Sequence, residues 1–122
     1  MHDKWVEIDD DAILHNLTGV RSLLSEQTRL IAVVKANAYG HGMVETASLL
    51  ADNGVEYFAV TFLDEALQLR EAGLEEAILL LSPLADQVSL QKAIRAQITV
   101  MISGPDDAVL ADQVSQTEQI ML

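Results

Sequence analysis

The residues with the most chemical promise lie together in Ala32-Val33-Val34-Lys35-Ala36-Asn37-Ala38-Tyr39-Gly40-His41-Gly42. An apolar run leads straight into a lysine, and a loop of small residues with one phenol and one imidazole follows. If the run is a strand, Ile31, Val33 and Lys35 are two apart and share one side of it. Lys35 then stands at the carboxyl end, where parallel α/β folds gather their active sites. Apolar surroundings favour the neutral form of a lysine, and a neutral amine is the nucleophile that condenses with a carbonyl group. Tyr39 can offer its phenol to the same cavity. Gly40 and Gly42 leave room for backbone amides to approach a phosphate. His41 takes no direct role in this reading, as a loop histidine with its own hydrogen bonds; His2 and His15 read as structural or exposed.

Lys35 must be positioned by the elements around it. Ile13, Leu17, Val20 and Leu24 recur at helical spacing, behind an acidic run, Asp9 to Asp11, that can cap the helix. Trp5 to Ile8 alternates like a short strand. Five apolar segments then read as buried strands: Leu30 to Val34, Tyr57 to Phe62, Ile78 to Leu81, Ile98 to Ile102 and Gln119 to Leu122. They are nearly continuous in aliphatic residues, as strands covered on both faces are. Helical patterns separate them. One ends at Asn53-Gly54, a second at Gly73, a third is capped by Asp86, and a fourth opens at Ser103-Gly104-Pro105. Asp64 and Glu65 look like paired carboxylates for acid–base work, but at a helix start they suit capping and dipole roles. Strand candidates begin at 30, 57, 78, 98 and 119, an interval that implies parallel strands joined by helical crossovers. An open doubly wound sheet and part of a (β/α)8 barrel both fit that interval. A closed barrel takes about 250 residues.

Composition narrows the function classes. The chain has 122 residues, half of them hydrophobic, so one modest domain with a real core is possible. It has no cysteine, which excludes disulfides and thiolate metal sites. A net charge of −12, with seven scattered Lys and Arg, argues against nucleic acid. No apolar run reaches the roughly 20 residues of a membrane span, and the first residues do not read as a signal peptide. A cytoplasmic protein is the simplest expectation.

Residue for residue, Ala32 to Gly42 resembles the cofactor-lysine signature of the alanine racemase family. Trp5-Val6-Glu7-Ile8-Asp9 with Ala12-Ile13 and Asn16-Leu17 resembles that family's opening. Phe62-Leu63-Asp64-Glu65-Ala66 with Leu69-Arg70 and Gly73 resembles its second strand–helix unit, and Ile78 to Leu81 its next strand. The match fades after about Ser82. The resemblance implies an α/β fold: residues 1–122 would form the N-terminal half of a (β/α)8 TIM barrel, truncated before closure, with a C-terminal β domain absent. It implies that Lys35 carries pyridoxal phosphate covalently and acts as base on one face of the substrate α-carbon. Tyr39 would hydrogen-bond the cofactor phosphate, and Val33 and Leu81 would pack beside the cofactor. No metal is implied. The implied activity interconverts L- and D-alanine, supplying D-alanine for cell-wall peptidoglycan, in a homodimer whose second base is a tyrosine of the partner subunit. A serine or broad-specificity racemase, a non-catalytic pyridoxal-phosphate-binding protein, and an open-sheet interaction domain without cofactor are the alternatives. The 122-residue piece alone is expected to be inactive and prone to associate.

Overall fold

The structure, a computed structural model, describes residues 3–121. Four strands, β1 (Ile31–Val33), β2 (Tyr57–Val60), β3 (Ala77–Pro83) and β4 (Ile98–Met101), form one sheet in chain order. All three pairings are parallel. Six helical segments accompany them: α1 (Asp10–Ser22), α2 (Lys35–Tyr39), α3 (Met43–Asp52), α4 (Leu63–Glu71), α5 (Gln87–Arg95) and α6 (Pro105–Met121). Parallel neighbours require long crossovers, and α3, α4 and α5 supply them. Register aligns Val33 with Ala59, Ala59 with Leu79 and Leu79 with Thr99. The β3–β4 register shifts between Leu79 and Pro83.

Pairing in register sends alternate residues to opposite sides of the sheet. On the helix side, Val34, Phe58, Val60, Ile78 and Leu80 are withdrawn from water with Met43 and Ala47 of α3, Ala66 and Leu69 of α4, and Ala93 of α5. The other face is open. Ile31 and Val33 remain 47% and 41% exposed there, and Leu79 and Leu81 are half-buried. Coverage of both faces, expected from the aliphatic runs, is therefore corrected: the helices of residues 3–121 cover one face only.

Helix ends follow from local chemistry. The Asp9 carboxylate accepts from the Ala12 amide at 3.1 Å and starts α1. Gly54 and Gly73, at φ 87° and 97°, end α3 and α4 in a left-handed residue. There the Val55 amide reaches back to Leu50 O and the Leu74 amide to Leu69 O, both at 3.0 Å. Arg70, in the last turn of α4, donates to the carbonyls of Leu74, Glu76, Ala96 and Gln97, tying together the segments that enter β3 and β4.

Two strand expectations are corrected. Trp5 to Ile8 is not a strand: no neighbour among the described residues offers it a ladder, and Trp5 and Val6 are largely exposed. The segment expected to begin a fifth strand at Gln119 instead continues α6 through Met121; Leu122 lies outside the described residues. Val114 and Glu118 are four apart on one helical face and both buried, and Glu118 receives the Arg95 guanidinium of α5 at 2.7 Å. Continuing the helix is what brings that carboxylate to Arg95.

The Asp86 cap makes a pH prediction. Its carboxylate accepts from the Ser89 amide at 2.8 Å, and that amide, with the Ser89 hydroxyl, holds its pKa below the ordinary carboxylate value. A depressed folded-state pKa contributes stability above the unfolded value of about 3.9 and loses it as pH falls through the folded value. Unfolding midpoints of the parent protein should fall between about pH 5 and 3 more steeply than those of Asp86→Asn. Equal slopes in both proteins would refute this role for Asp86.

Candidate active site

The β1–β2 ladder ends when the Val34 amide donates to Ala59 O at 2.9 Å, and Lys35 is the next residue. It stands at the carboxyl rim of the sheet. The pleat does not extend that far, because Val34 has already turned to ψ 18°. The two-residue alternation therefore places Val33 but not Lys35, whose setting belongs to the turn that follows. Its side chain is half-buried, and among the described residues no hydrogen bond or ion pair engages its amine.

That turn is unusual for its residues. Ala36, Asn37, Ala38 and Tyr39 all have φ between 51° and 56°, so α2 coils left-handed. A left-handed helical conformation costs an L-residue about 1–2 kcal/mol, and such strain persists only where the surroundings over-determine it. The surroundings here are specific. The Ala38 amide donates to Val34 O at 2.9 Å, and the Gly40 and Gly42 amides both donate to Asn37 O, at 3.1 and 3.0 Å. Asn37 Oδ1 accepts from the Met43 amide at 2.9 Å, at the start of α3. The Ala36 amide donates to Glu65 Oε2 at 2.8 Å.

Several expectations can now be placed. Val33 and Leu81 share the open face, two strands apart across β2: the register aligns Val33 with Leu79 through Ala59, and Leu81 lies two residues further along β3. Tyr39 sits in the left-handed turn, 63% exposed, with no partner for its hydroxyl among the described residues. Gly40 and Gly42 differ from expectation: their amides turn inward to Asn37 O, so their freedom serves the loop and not an incoming phosphate. The His41 Nδ1 lies 3.1 Å from Ala38 O, the local hydrogen bond foreseen for it. His15 is exposed, and His2 lies outside the described residues. Glu65 does cap α4: it is the third helical residue and accepts from the Phe62 amide at 2.9 Å. Phe62 has no oxygen to return the bond.

Sequence reasoning gave Asn37 no role in this site and saw only the cap in Glu65. Asn37 was legible in principle, since asparagine tolerates the left-handed region and bonds backbone close by. Glu65 reaches Ala36 from 29 positions away, which no local pattern reveals. Among the described residues no three His, Asp or Glu side chains are grouped to hold a metal ion, and no helix is long and apolar enough to cross a membrane.

Parallel strands in chain order, helices on one face and a lysine at the carboxyl rim define a TIM-barrel-like α/β domain, unclosed within these residues. The family can be stated as well: residues 8–121 match the N-terminal domain of alanine racemase, and the chain belongs to that family. It is 40% identical to alanine racemase 2 of Oceanobacillus iheyensis, over 98% of this chain and 31% of that protein. The structure matches the alanine racemase of Clostridium difficile 630 with a TM-score of 0.85 at 31% identity, covering 89% of this chain and 29% of that one. It also matches a histidine racemase from Leuconostoc mesenteroides, with a TM-score of 0.77 at 34% identity, over 88% of this chain and 29% of that one. The chain thus spans about a third of the length of the relatives it matches.

Asn37→Ala should release the Met43 amide and place a second-choice residue in the turn, at a cost of about 1–2 kcal/mol, as for loss of other helix caps. Asn37→Gly, which accepts the left-handed region, should cost less than Asn37→Ala. Denaturant midpoints compare the two, and the reverse order would contradict the turn described.

Proposed function

We propose that this chain is the cofactor-binding portion of a pyridoxal-phosphate-dependent alanine racemase. One observation carries the reading: a lysine whose amine has no partner among the described residues stands one residue past the end of a parallel ladder, on a backbone held in a strained turn. The donor set fits the cofactor. Lys35 offers a primary amine for the aldehyde and Tyr39 an exposed phenol for the phosphate. The Glu65 carboxylate, which would repel a phosphate, is already occupied by three backbone amides.

When bound, pyridoxal phosphate supplies an electron sink that makes the substrate α-hydrogen removable as a proton. Lys35 would hold the cofactor and then move that proton: its Nζ takes it from one side of the α-carbon and returns one there. Tyr39 hydrogen-bonds the phosphate. Val33 and Leu81, on the open face, pack against the cofactor and keep water from the side they cover. Exchange of configuration needs a second acid–base group on the opposite side, and we assign it to a tyrosine of a partner subunit, in a C-terminal β domain outside this chain. The reading extends to a cytoplasmic homodimer that supplies D-alanine for peptidoglycan.

A second reading keeps the chemistry and changes the amino acid. The likeness to a histidine racemase supports it, since much the same N-terminal architecture there accompanies another substrate. Serine or broad-specificity racemisation falls under the same reading. A pyridoxal-phosphate-binding protein without turnover is the remaining alternative.

The complete gene product containing this chain, mixed with pyridoxal phosphate and reduced with borohydride, should carry a pyridoxyl adduct on Lys35, and Lys35→Ala should carry none. Absence of the adduct from the parent protein would end the cofactor reading. Chiral analysis of alanine, serine and histidine then identifies the substrate, and no turnover of any amino acid leaves the binding protein. The 122-residue polypeptide by itself should racemise nothing, and measurable turnover would overturn the assignment of the second base.

A further inference from the structure

Two peptide units flank Lys35, and each is held by a different partner. On the amino side, the Val34 carbonyl accepts from the Ala38 amide at 2.9 Å, a bond internal to the turn. On the carboxyl side, the Ala36 amide donates to Glu65 Oε2 at 2.8 Å. Glu65 belongs to the next strand–helix unit. Its other oxygen, Oε1, accepts from the Thr61 and Phe62 amides at 3.1 and 2.9 Å. One carboxylate therefore joins the loop after β1 to the loop after β2, with both oxygens in use.

We propose that Glu65 is a positioning residue for Lys35: it fixes the peptide plane from which the lysine side chain departs and so holds the amine at the rim in its reactive setting. The proposal rests on the assignment of Lys35 as the cofactor residue. Capping alone would not require this geometry, because the Phe62 amide needs only Oε1. Oε2 is directed across to a turn that four consecutive left-handed residues make costly to hold. Hydrogen bonds to a charged acceptor are the strong ones, and this bond is the tie from another strand–helix unit to the lysine's own peptide.

Glutamine separates the two functions of this carboxylate. Its single oxygen satisfies the Thr61 and Phe62 pair, and its NH2 group then opposes the Ala36 N–H. In the complete gene product, Glu65→Gln should keep the parent melting temperature to within a few degrees. The Ala36 amide should exchange with deuterium at least about tenfold faster. The pyridoxal phosphate concentration for half-maximal labelling of Lys35, read by borohydride reduction, should rise by about the same factor. Unchanged Ala36 exchange, or faster exchange with unchanged labelling, would overturn the proposal. A measurement on the parent protein stands even if variants fold poorly: Ala36 is exposed, so strong protection of its amide requires the Glu65 bond, and exchange at the rate of a free amide would refute it. If the parent is never labelled at Lys35, the cofactor assignment fails, while Ala36 exchange in the absence of cofactor still decides whether Glu65 holds the turn.

Discussion

Phe58, Val60, Ile78 and Leu80 lose essentially all contact with water beneath the helices, and burial of aliphatic or aromatic side chains of this size is worth about 1.5–3 kcal/mol each. Much else in the structure depends on that exclusion. It holds the crossover helices to one face of the sheet, and helical crossovers oblige neighbouring strands to run parallel. Parallel strands in turn deliver all their carboxyl ends to the same rim. The segment that begins with Lys35 after β1 and the Thr61–Phe62 segment after β2 both lie at that rim, joined there through Glu65.

At the rim the balance is local and finely set. Four left-handed residues are unfavourable in isolation, and the turn is held by hydrogen bonds from the Ala36, Ala38, Gly40, Gly42 and Met43 amides. Asn37 serves three amides, those of Gly40, Gly42 and Met43. Glu65 serves three more, those of Ala36, Thr61 and Phe62. The Asn37 carbonyl and side-chain oxygens, with the Glu65 carboxylate, convert a run of small residues into a defined loop. A small-residue sequence by itself would leave the lysine on a flexible tether.

The sequence was readable where one residue decides one local outcome. Gly54 and Gly73 end helices, Asp86 starts one, and Val33 to Lys35 mark a strand that stops at a lysine; each appears where its chemistry puts it. Legibility failed where the outcome depends on a distant partner. Trp5 to Ile8 alternates as strands do, yet alternation does not supply the neighbour a strand needs. The stretch from Gln119 reads as apolar and extended, whereas Glu118 just before it is buried in a helix by an arginine 23 residues away. The two rim glycines looked like an anion cradle because glycine reveals only that backbone can come close, not whose backbone it is. Glu65 was legible as a cap and opaque as a bridge for the same reason.

The two faces of the sheet carry unequal obligations. Residues under the helices hold the chain together, and their shapes are tightly constrained. Ile31, Val33 and Thr99, on the opposite face, are at least two-fifths exposed or openly solvated and contribute little to that interior. A change of side chain on the open side therefore leaves the packed interior largely intact, whereas the same change beneath the helices would disturb it.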